Sequence, residues 1–343
     1  MPNAVIIGGR GQTGRAIAGR LVEAGWSVTA TTKGDLTDLT STPGIRWLQL
    51  DRDQTAELST VVGAATDLVV DVIAFNPRHG RQLLELKDRI GSAIVISTVS
   101  VYSDAQGRSL DEATDEAGFP HWPNPISETW QTLPAGDTNY SNRKVTIEET
   151  LRDGATFPVT IIRPGAILGP HGTHLREWYF IKRVLDQRRP VVLPYLGRSI
   201  FQPTSVQNLA QLVFLAAQRP ASRTLNCGDL NPPSVLQISE IVDRLMGHQT
   251  ERVLVEGPEP LPSVGNNPWA VPRPVVVNMD RAKAELEYQE VVTYQDALST
   301  TLKWALAETA IRDWREVFPT MAAYPEDPFD YSAEDSFLAN RPR

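Results

Sequence analysis

Seven residues near the N-terminus, Gly8 to Gly14 in "GGRGQTG", constrain the fold more than any other feature of the chain. The apolar run "NAVII" before them reads as a buried strand, and "TGRAIAGRLVEAG", which begins inside the loop, has the spacing of a helix. Ile17, Leu21 and Val22 fall on one side of that helix, Arg15, Arg20 and Glu23 lie elsewhere, and Gly25 is placed to stop it. Gly8, Gly11 and Gly14 make the pattern G-x-x-G-x-x-G. Between a strand and a helix, glycine serves a sharp turn, close approach of backbone to a pyrophosphate, and tight helix–strand packing. The helix N-terminus adds unpaired N–H groups and a positive dipole end. The loop, with Arg10, Gln12 and Thr13 between its glycines, is therefore read as a dinucleotide-binding site rather than a bare turn.

Strand signals recur after it. "WSVTATT", "IRWLQLD", "DLVVDVIAF" and "SAIVISTVS" read as strands two to five, with helices at about 54–64 and 77–90. This alternation predicts an α/β fold built on a Rossmann-type doubly wound parallel sheet. Residues 103–138 are polar and read as a long excursion at the sheet's C-terminal edge, where ligands sit in such folds. A helix at 139–152 and the strand "PVTIIRPG" return to the sheet. Further helices are expected at about 174–188, in "SVQNLAQLVFLAAQ" and in "SVLQISEIVDRLMG", with a late strand in "RTLNCGD". The tail from about 319 is polar with scattered aromatics and reads as wrapping the surface or partly loose. The expected organisation is a dinucleotide-binding domain over 1–165, with 200–228 returning to it. Residues 166–343 would form mostly a smaller C-terminal substrate-binding domain and the tail.

A net charge of −8 argues against a broad nucleic-acid surface, which needs a basic stripe. A single cysteine, Cys227, leaves no internal disulfide framework and no Cys-based zinc site, and no metal is expected. No apolar run is long enough for a membrane helix, and the N-terminus lacks a signal-peptide pattern. A cytoplasmic enzyme with a small-molecule substrate is the expectation.

The end of the second strand bears on the choice of dinucleotide. NAD sites usually carry Asp or Glu there, for the ribose 2′-hydroxyl. Here the strand ends Thr31, Thr32, Lys33, with no carboxylate until Asp35. Arg10 and Lys33 together suit a 2′-phosphate, which favours NADP(H) over NAD(H). Asp51, ending the third strand, is placed either to accept from the adenine amino group or to cap the next helix.

In "NYSNRKV", Tyr140 and Lys144 stand one above the other on a helix face. Thr98 stands at the tip of the fifth strand. With the glycine loop they occur in the order of the extended short-chain dehydrogenase/reductase superfamily, which includes the NAD(P)-dependent epimerase/dehydratase proteins. The chain resembles that superfamily from residue 3 to about 305. Further marks are "STVSVY" (97–102), "TIIRPGAILGP" (160–170), "QPTSVQNLAQLVFLA" (202–216), "LNCGD" (225–229) and "VNMDRAKAEL" (277–286). The resemblance implies that Thr98, Tyr140 and Lys144 are catalytic, and that the segment Pro164–Gly165 meets the nicotinamide carboxamide. It also implies a homodimer through the 77–90 and 139–152 helices. A free phenol has a pKa of about 10, and a neighbouring ammonium together with an oxidised nicotinamide would lower it toward neutrality.

Three departures from the family pattern narrow the reading. Sugar 4,6-dehydratases of the superfamily carry acids directly after the active hydroxyl residue, where this chain has Val99 and Ser100. Many nucleotide-sugar members hold a diphosphate with an Arg just before the "VQNLA"-like helix, where this chain has Phe201. The interval from Thr98 to Tyr140 is also longer than the family's. Asp111, Glu112, Glu128, Trp130, His171 and His174 are polar candidates for the substrate pocket. Arg176, Lys182, Arg183, Arg188 and Arg189 make one helix basic, as either a solvated face or an attractor of an anionic substrate. The expected function is an NADP-dependent oxidoreductase acting at a carbonyl or hydroxyl carbon with Tyr140 as acid/base. A nucleotide-sugar epimerase with tightly bound NAD, and a non-catalytic dinucleotide- or RNA-binding protein, are the alternatives.

Overall fold

The computed structural model describes residues 1–37, 39, 43–113, 115–261 and 263–340, except for the side chain of residue 112. The chain divides into two compact units, and the first comprises Met1–Gly169, Thr204–Leu230 and Val277–Val292.

A seven-stranded sheet organises the first unit. Its strands are β1 (Asn3–Ile7), β2 (Ser27–Thr32), β3 (Ile45–Gln49), β4 (Thr66–Asp71), β5 (Ile90–Ile96), β6 (Val159–Pro164) and β7 (Arg223–Cys227). All neighbours run parallel in the order β7-β6-β5-β4-β1-β2-β3. The winding reverses between β1 and β4, which pair Ile7 with Asp71 at their C-terminal ends. A crevice therefore opens beyond these strand ends. The helices are α1 (Gln12–Glu23), α2 (Thr55–Val62), α3 (Pro77–Glu85) and α4 (Tyr140–Gly154), with further ones at Val206–Gln218 and Asp280–Leu286.

Strand residues Val5, Ile7, Val69, Val95 and Ile161 pack with Leu58 of α2, Leu83 of α3 and Ile147 and Leu151 of α4 in one buried cluster. Each such side chain contributes roughly 1.5–3 kcal/mol by leaving water. Helix α1 instead packs with the helix Val206–Gln218, where Arg20 Nε donates to Gln211 at 2.8 Å. The doubly wound architecture is the one the alternating pattern predicts. The expected helix at 77–90 ends earlier, at Glu85, because Ile90 is buried and already pairs with Thr66 as the first residue of β5.

The second unit comprises Pro170–Pro203, Asn231–Val276 and Thr293–Arg343. Strands Pro190–Leu193 and Glu251–Leu254 pair in parallel. Helix Val235–Met246 opens on a capping box between Ser234 and Gln237 and closes on Gly247 at φ +66°. The helix expected at 174–188 covers only Trp178–Leu185, with Arg176 before it and Arg188 and Arg189 beyond it.

Lys182, Arg183 and Arg188 of this segment are ion-paired rather than free, whereas Arg189 is exposed. Lys182 pairs with Asp186 at 2.6 Å, and Arg188 pairs with Glu334 at 3.0 Å and Asp335 at 2.6 Å. Arg183 reaches Glu334 at 3.7 Å and donates to the Pro328 carbonyl at 2.8 Å. Glu334 lies on the tail helix Tyr331–Ala339 and is 1% exposed. The tail is thus fastened by a buried carboxylate. Removing it in Glu334→Ala takes a buried carboxylate from two enclosed guanidinium groups and should cost about 3–5 kcal/mol. Asp335→Ala, at a side chain 60% exposed, should cost less than about 1 kcal/mol. Urea unfolding of the two variants checks the contrast.

Candidate active site

The loop after β1 gives its three glycines three different environments. Gly8 adopts φ +88°, and a Cβ there would come within 2.6 Å of Ile73 Cγ2. A Cβ at Gly14 would lie 2.4 Å from the Gly8 carbonyl oxygen and 2.6 Å from Gly9 Cα, so α1 packs directly onto the loop. Gly11 is the N-cap of α1, and a Cβ there would meet no protein atom within 4 Å. Nothing in the protein's own packing calls for glycine at that position. Bare backbone facing open space at a helix N-terminus fits the approach of a pyrophosphate. Gln12 and Thr13 open the helix, and no acidic residue stands in its first turn.

At the tip of β2, Thr32 accepts a hydrogen bond from the Gly34 N–H at 3.2 Å. Arg10 donates to the Asp35 carbonyl. Lys33 and Asp51 form an exposed ion pair at 2.9 Å. Each charge favours the other's ionised form, so Lys33 is held above and Asp51 below its ordinary range. Asp51 also accepts from the Asp53 N–H at 3.1 Å, the turn that leads to α2. Gln54, not Asp51, is the cap of that helix. Pro164 ends β6 opposite Cys227 of β7, and the Gly165 N–H is satisfied by the Cys227 carbonyl and the Thr204 hydroxyl.

Thr98 follows β5 and caps a short turn, accepting from the Ser100 N–H at 3.2 Å and sharing a hydrogen bond with the Ser100 hydroxyl at 3.0 Å. Tyr140 opens α4, whose cap is Asn139. Lys144, one turn on, is only 2% exposed. Its ammonium donates to the Ile96 carbonyl at 2.9 Å, and lies 4.9 Å from the Phe75 ring centroid and 5.7 Å from that of Tyr140. Burial lowers the Lys144 pKa to about 8, while Asp71 and Glu148 favour the charged form and Arg52 opposes it. Asp71 is itself buried, and its two carboxylate oxygens accept from Arg52 Nη1 at 2.7 and 2.6 Å.

The phenol of Tyr140 does not behave as the sequence argument expects. Burial raises it to about 12, the Thr98 hydroxyl pulls it down and the Asp111 carboxylate pushes it up. With 38% of the residue exposed, water moderates the effect of burial but does not reverse it. The ammonium of Lys144 is not among the influences that set it. In the protein alone, desolvation sets the direction of the shift.

Asp111 was one of several polar candidates in the excursion, and its carboxylate accepts from the Ser141 N–H at 3.1 Å in the first turn of α4. Two other candidates are structural. Glu128 accepts from the Asn226 N–H at 2.9 Å, and Trp130 donates to the Ser103 carbonyl at 2.9 Å. The excursion is pinned by Asp104. Burial would raise this carboxyl, but N–H groups of His121, Arg108 and Gln106 and the Arg108 guanidinium hold it at about 2. The side chain of Glu112 lies outside the described residues.

Both histidine candidates belong to the second unit. His171 packs on Trp304, and His174 shares a 2.8 Å hydrogen bond with the Tyr324 hydroxyl. Burial and the nearby Arg176 charge push the His174 pKa to about 3, so its imidazole is neutral. Among the described residues, no group of three His, Cys, Asp or Glu side chains is placed to hold a metal ion.

Residues 4–228 match the model of the NAD dependent epimerase/dehydratase family. The chain belongs to this family. A search of curated proteins returned no match. Solved structures share its fold at low identity. The dTDP-glucose 4,6-dehydratase of Bacillus anthracis, solved in complex with NAD, aligns with a TM-score of 0.68 at 15% identity, over 92% of this chain and 100% of that one. The UDP-glucose 4-epimerase of Thermotoga maritima, solved with UDP-glucose, gives 0.66 at 17% identity over 90% and 99% of the two chains. The UDP-glucuronic acid 4-epimerase of Bacillus cereus, solved with UDP-glucuronic acid and NAD, gives 0.65 at 16% identity over 88% and 98%. The protein is thus an enzyme of a nicotinamide-dinucleotide family, and no helix among its described residues is long and apolar enough to cross a membrane.

The glycine loop separates fold from binding. Gly14→Ala should destabilise the protein, because its Cβ meets fixed backbone. Gly11→Ala should leave the melting temperature nearly unchanged yet weaken dinucleotide binding by about tenfold or more. Thermal melts with NADPH titration on both variants check this.

Proposed function

We propose that the protein is an NADP(H)-dependent oxidoreductase acting at a carbonyl or hydroxyl carbon, with Tyr140 as the acid/base. The reading is carried by the buried Lys144 ammonium one helical turn from Tyr140, with the Thr98 hydroxyl acting on the same phenol. The nicotinamide, when bound, supplies or accepts the hydride. In the reducing direction Tyr140 gives its proton to the oxygen that gains negative charge at the reacting carbon. Thr98 fixes that oxygen by hydrogen bonding, and Lys144 supplies fixed positive charge beside the phenolate that remains. A proton from solvent restores the phenol.

Preference for NADP(H) is supported by Arg10 and Lys33 around a β2 tip without a carboxylate at Thr31 or Thr32. The Gly loop, Thr32, Asp51 and Pro164 complete the proposed cofactor site. Asp51 acts there chiefly by holding Lys33. Dehydration of the sugar 4,6-dehydratase type is disfavoured, because the positions after Thr98 are the buried Val99 and Ser100. Nucleotide-sugar epimerisation with retained NAD is the second reading, favoured by the epimerases among the structural relatives.

Tyr140→Phe should lower turnover by about a hundredfold or more. It should leave NADPH affinity unchanged, and NADPH should bind about tenfold more tightly than NADH. Fluorescence titration and steady-state turnover test both; undiminished turnover overturns the acid/base role.

A further inference from the structure

Ser97, Thr98 and Ser100 bring their hydroxyls together just past β5, and each hydroxyl has a different commitment. Ser97 donates to the buried Glu148 carboxylate at 2.5 Å. Thr98 hydrogen-bonds the Tyr140 phenol, where it favours the ionised form. Ser100, 9% exposed, turns back onto Thr98, with its hydroxyl oxygen 3.0 Å from Thr98 Oγ1. The Ser100 N–H donates to the same Oγ1 at 3.2 Å. That N–H bond alone is an ordinary cap of a short turn. The contact between the two hydroxyls is not needed for the cap.

A threonine hydroxyl has two lone pairs and one proton. The Ser100 N–H takes one lone pair of Thr98. One lone pair and one proton remain for two partners, the Ser100 hydroxyl and the Tyr140 phenol. Their roles are therefore opposite. If Ser100 accepts, Thr98 is left only to accept from the phenol, which holds Tyr140 in its neutral form. If Ser100 donates, the Thr98 proton is free for the Tyr140 oxygen. An ionised phenol can only accept, so the second order is the one that stabilises Tyr140 once it has given up its proton. Other groups act on this phenol directly. Asp111 pushes it up, and the Lys144 ammonium lies 5.7 Å from its ring centroid. Arg143 of the same helix pairs with Asp137 at 3.9 Å. Ser100 reaches the phenol through Thr98.

We propose that Ser100 is a positioning residue: its hydroxyl donates to Thr98 Oγ1 and so aims the Thr98 proton at the Tyr140 oxygen, and at the reacting oxygen once substrate is bound. Fixing a donor before the reaction spares the cost of reorienting it as negative charge develops. The part played in turnover rests on the oxidoreductase reading, but the order of the hydrogen bonds does not.

The order is read at position 140 itself. Fluorotyrosine placed there in the full-length protein has a more acidic phenol, and fluorine NMR follows its titration alone, with neither substrate nor dinucleotide present. Ser100→Ala should raise the midpoint by about half a unit or more, because Thr98 then has a lone pair free to accept from the neutral phenol. Thr98→Val should also raise it, and Ser100→Ala should add no further shift in the Thr98→Val background. NADPH affinity should be unchanged in Ser100→Ala, which shows that the fold is intact. If Ser100→Ala fails to fold, Ser100→Cys, whose thiol donates only weakly, carries the comparison. A midpoint that falls or stays in place, or that rises equally in the Thr98→Val background, overturns the proposal. Undiminished turnover in Tyr140→Phe would instead overturn the acid/base reading and leave the titration readable.

Discussion

The candidate site depends on an ammonium held away from water. Lys144 is enclosed by α4, β5 and the Phe75 ring, and its ammonium donates to the Ile96 carbonyl. Such a placement lowers the pKa of the lysine to about 8, so much of its charge survives at neutral pH. Asp71 and Glu148 make this tolerable by favouring the charged form. Each carboxylate is itself held by a buried arginine, Asp71 by Arg52 and Glu148 by Arg163. Four charges from four stretches of the chain therefore sit behind one ammonium.

This arrangement changes the physical account of Tyr140. A cation one turn away invites the argument that it makes the phenol acidic. The ammonium lies 5.7 Å from the ring and donates to the Ile96 carbonyl, and burial, not this cation, sets the direction of the phenol's shift. The unliganded protein thus stores a protonated phenol, which is the form needed to donate a proton during reduction. Additional positive charge near the ring would be required to favour phenolate, and the oxidised nicotinamide carries one.

Much of the fold was legible because its signals are local. The strand, glycine loop and α1 follow from seven residues and two periodicities, and Gly8 and Gly14 occupy positions where a side chain would strike its surroundings. Tyr140 and Lys144 were legible for the same reason, as neighbours on one helix. What could not be read were pairings between distant parts of the chain. The Ile96 carbonyl that holds Lys144 carries no sequence mark. The cations at 183 and 188 read as an exposed face because their partner Glu334 lies far along the polar tail. The helix expected at 174–188 covers only Trp178–Leu185. The direction of the Tyr140 shift is a property of burial, which composition does not reveal.

Burial makes the Tyr140 phenol less acidic than a free tyrosine, and positive charge from an oxidised dinucleotide is needed to release its proton. An ultraviolet difference titration of wild-type protein against Tyr140→Phe isolates this one phenol. Without dinucleotide it should ionise above pH 10, the ordinary value for tyrosine. With saturating NADP⁺ the midpoint should fall by about one unit or more. A midpoint already below 10 in the free protein, or one that NADP⁺ leaves unmoved, would contradict the account.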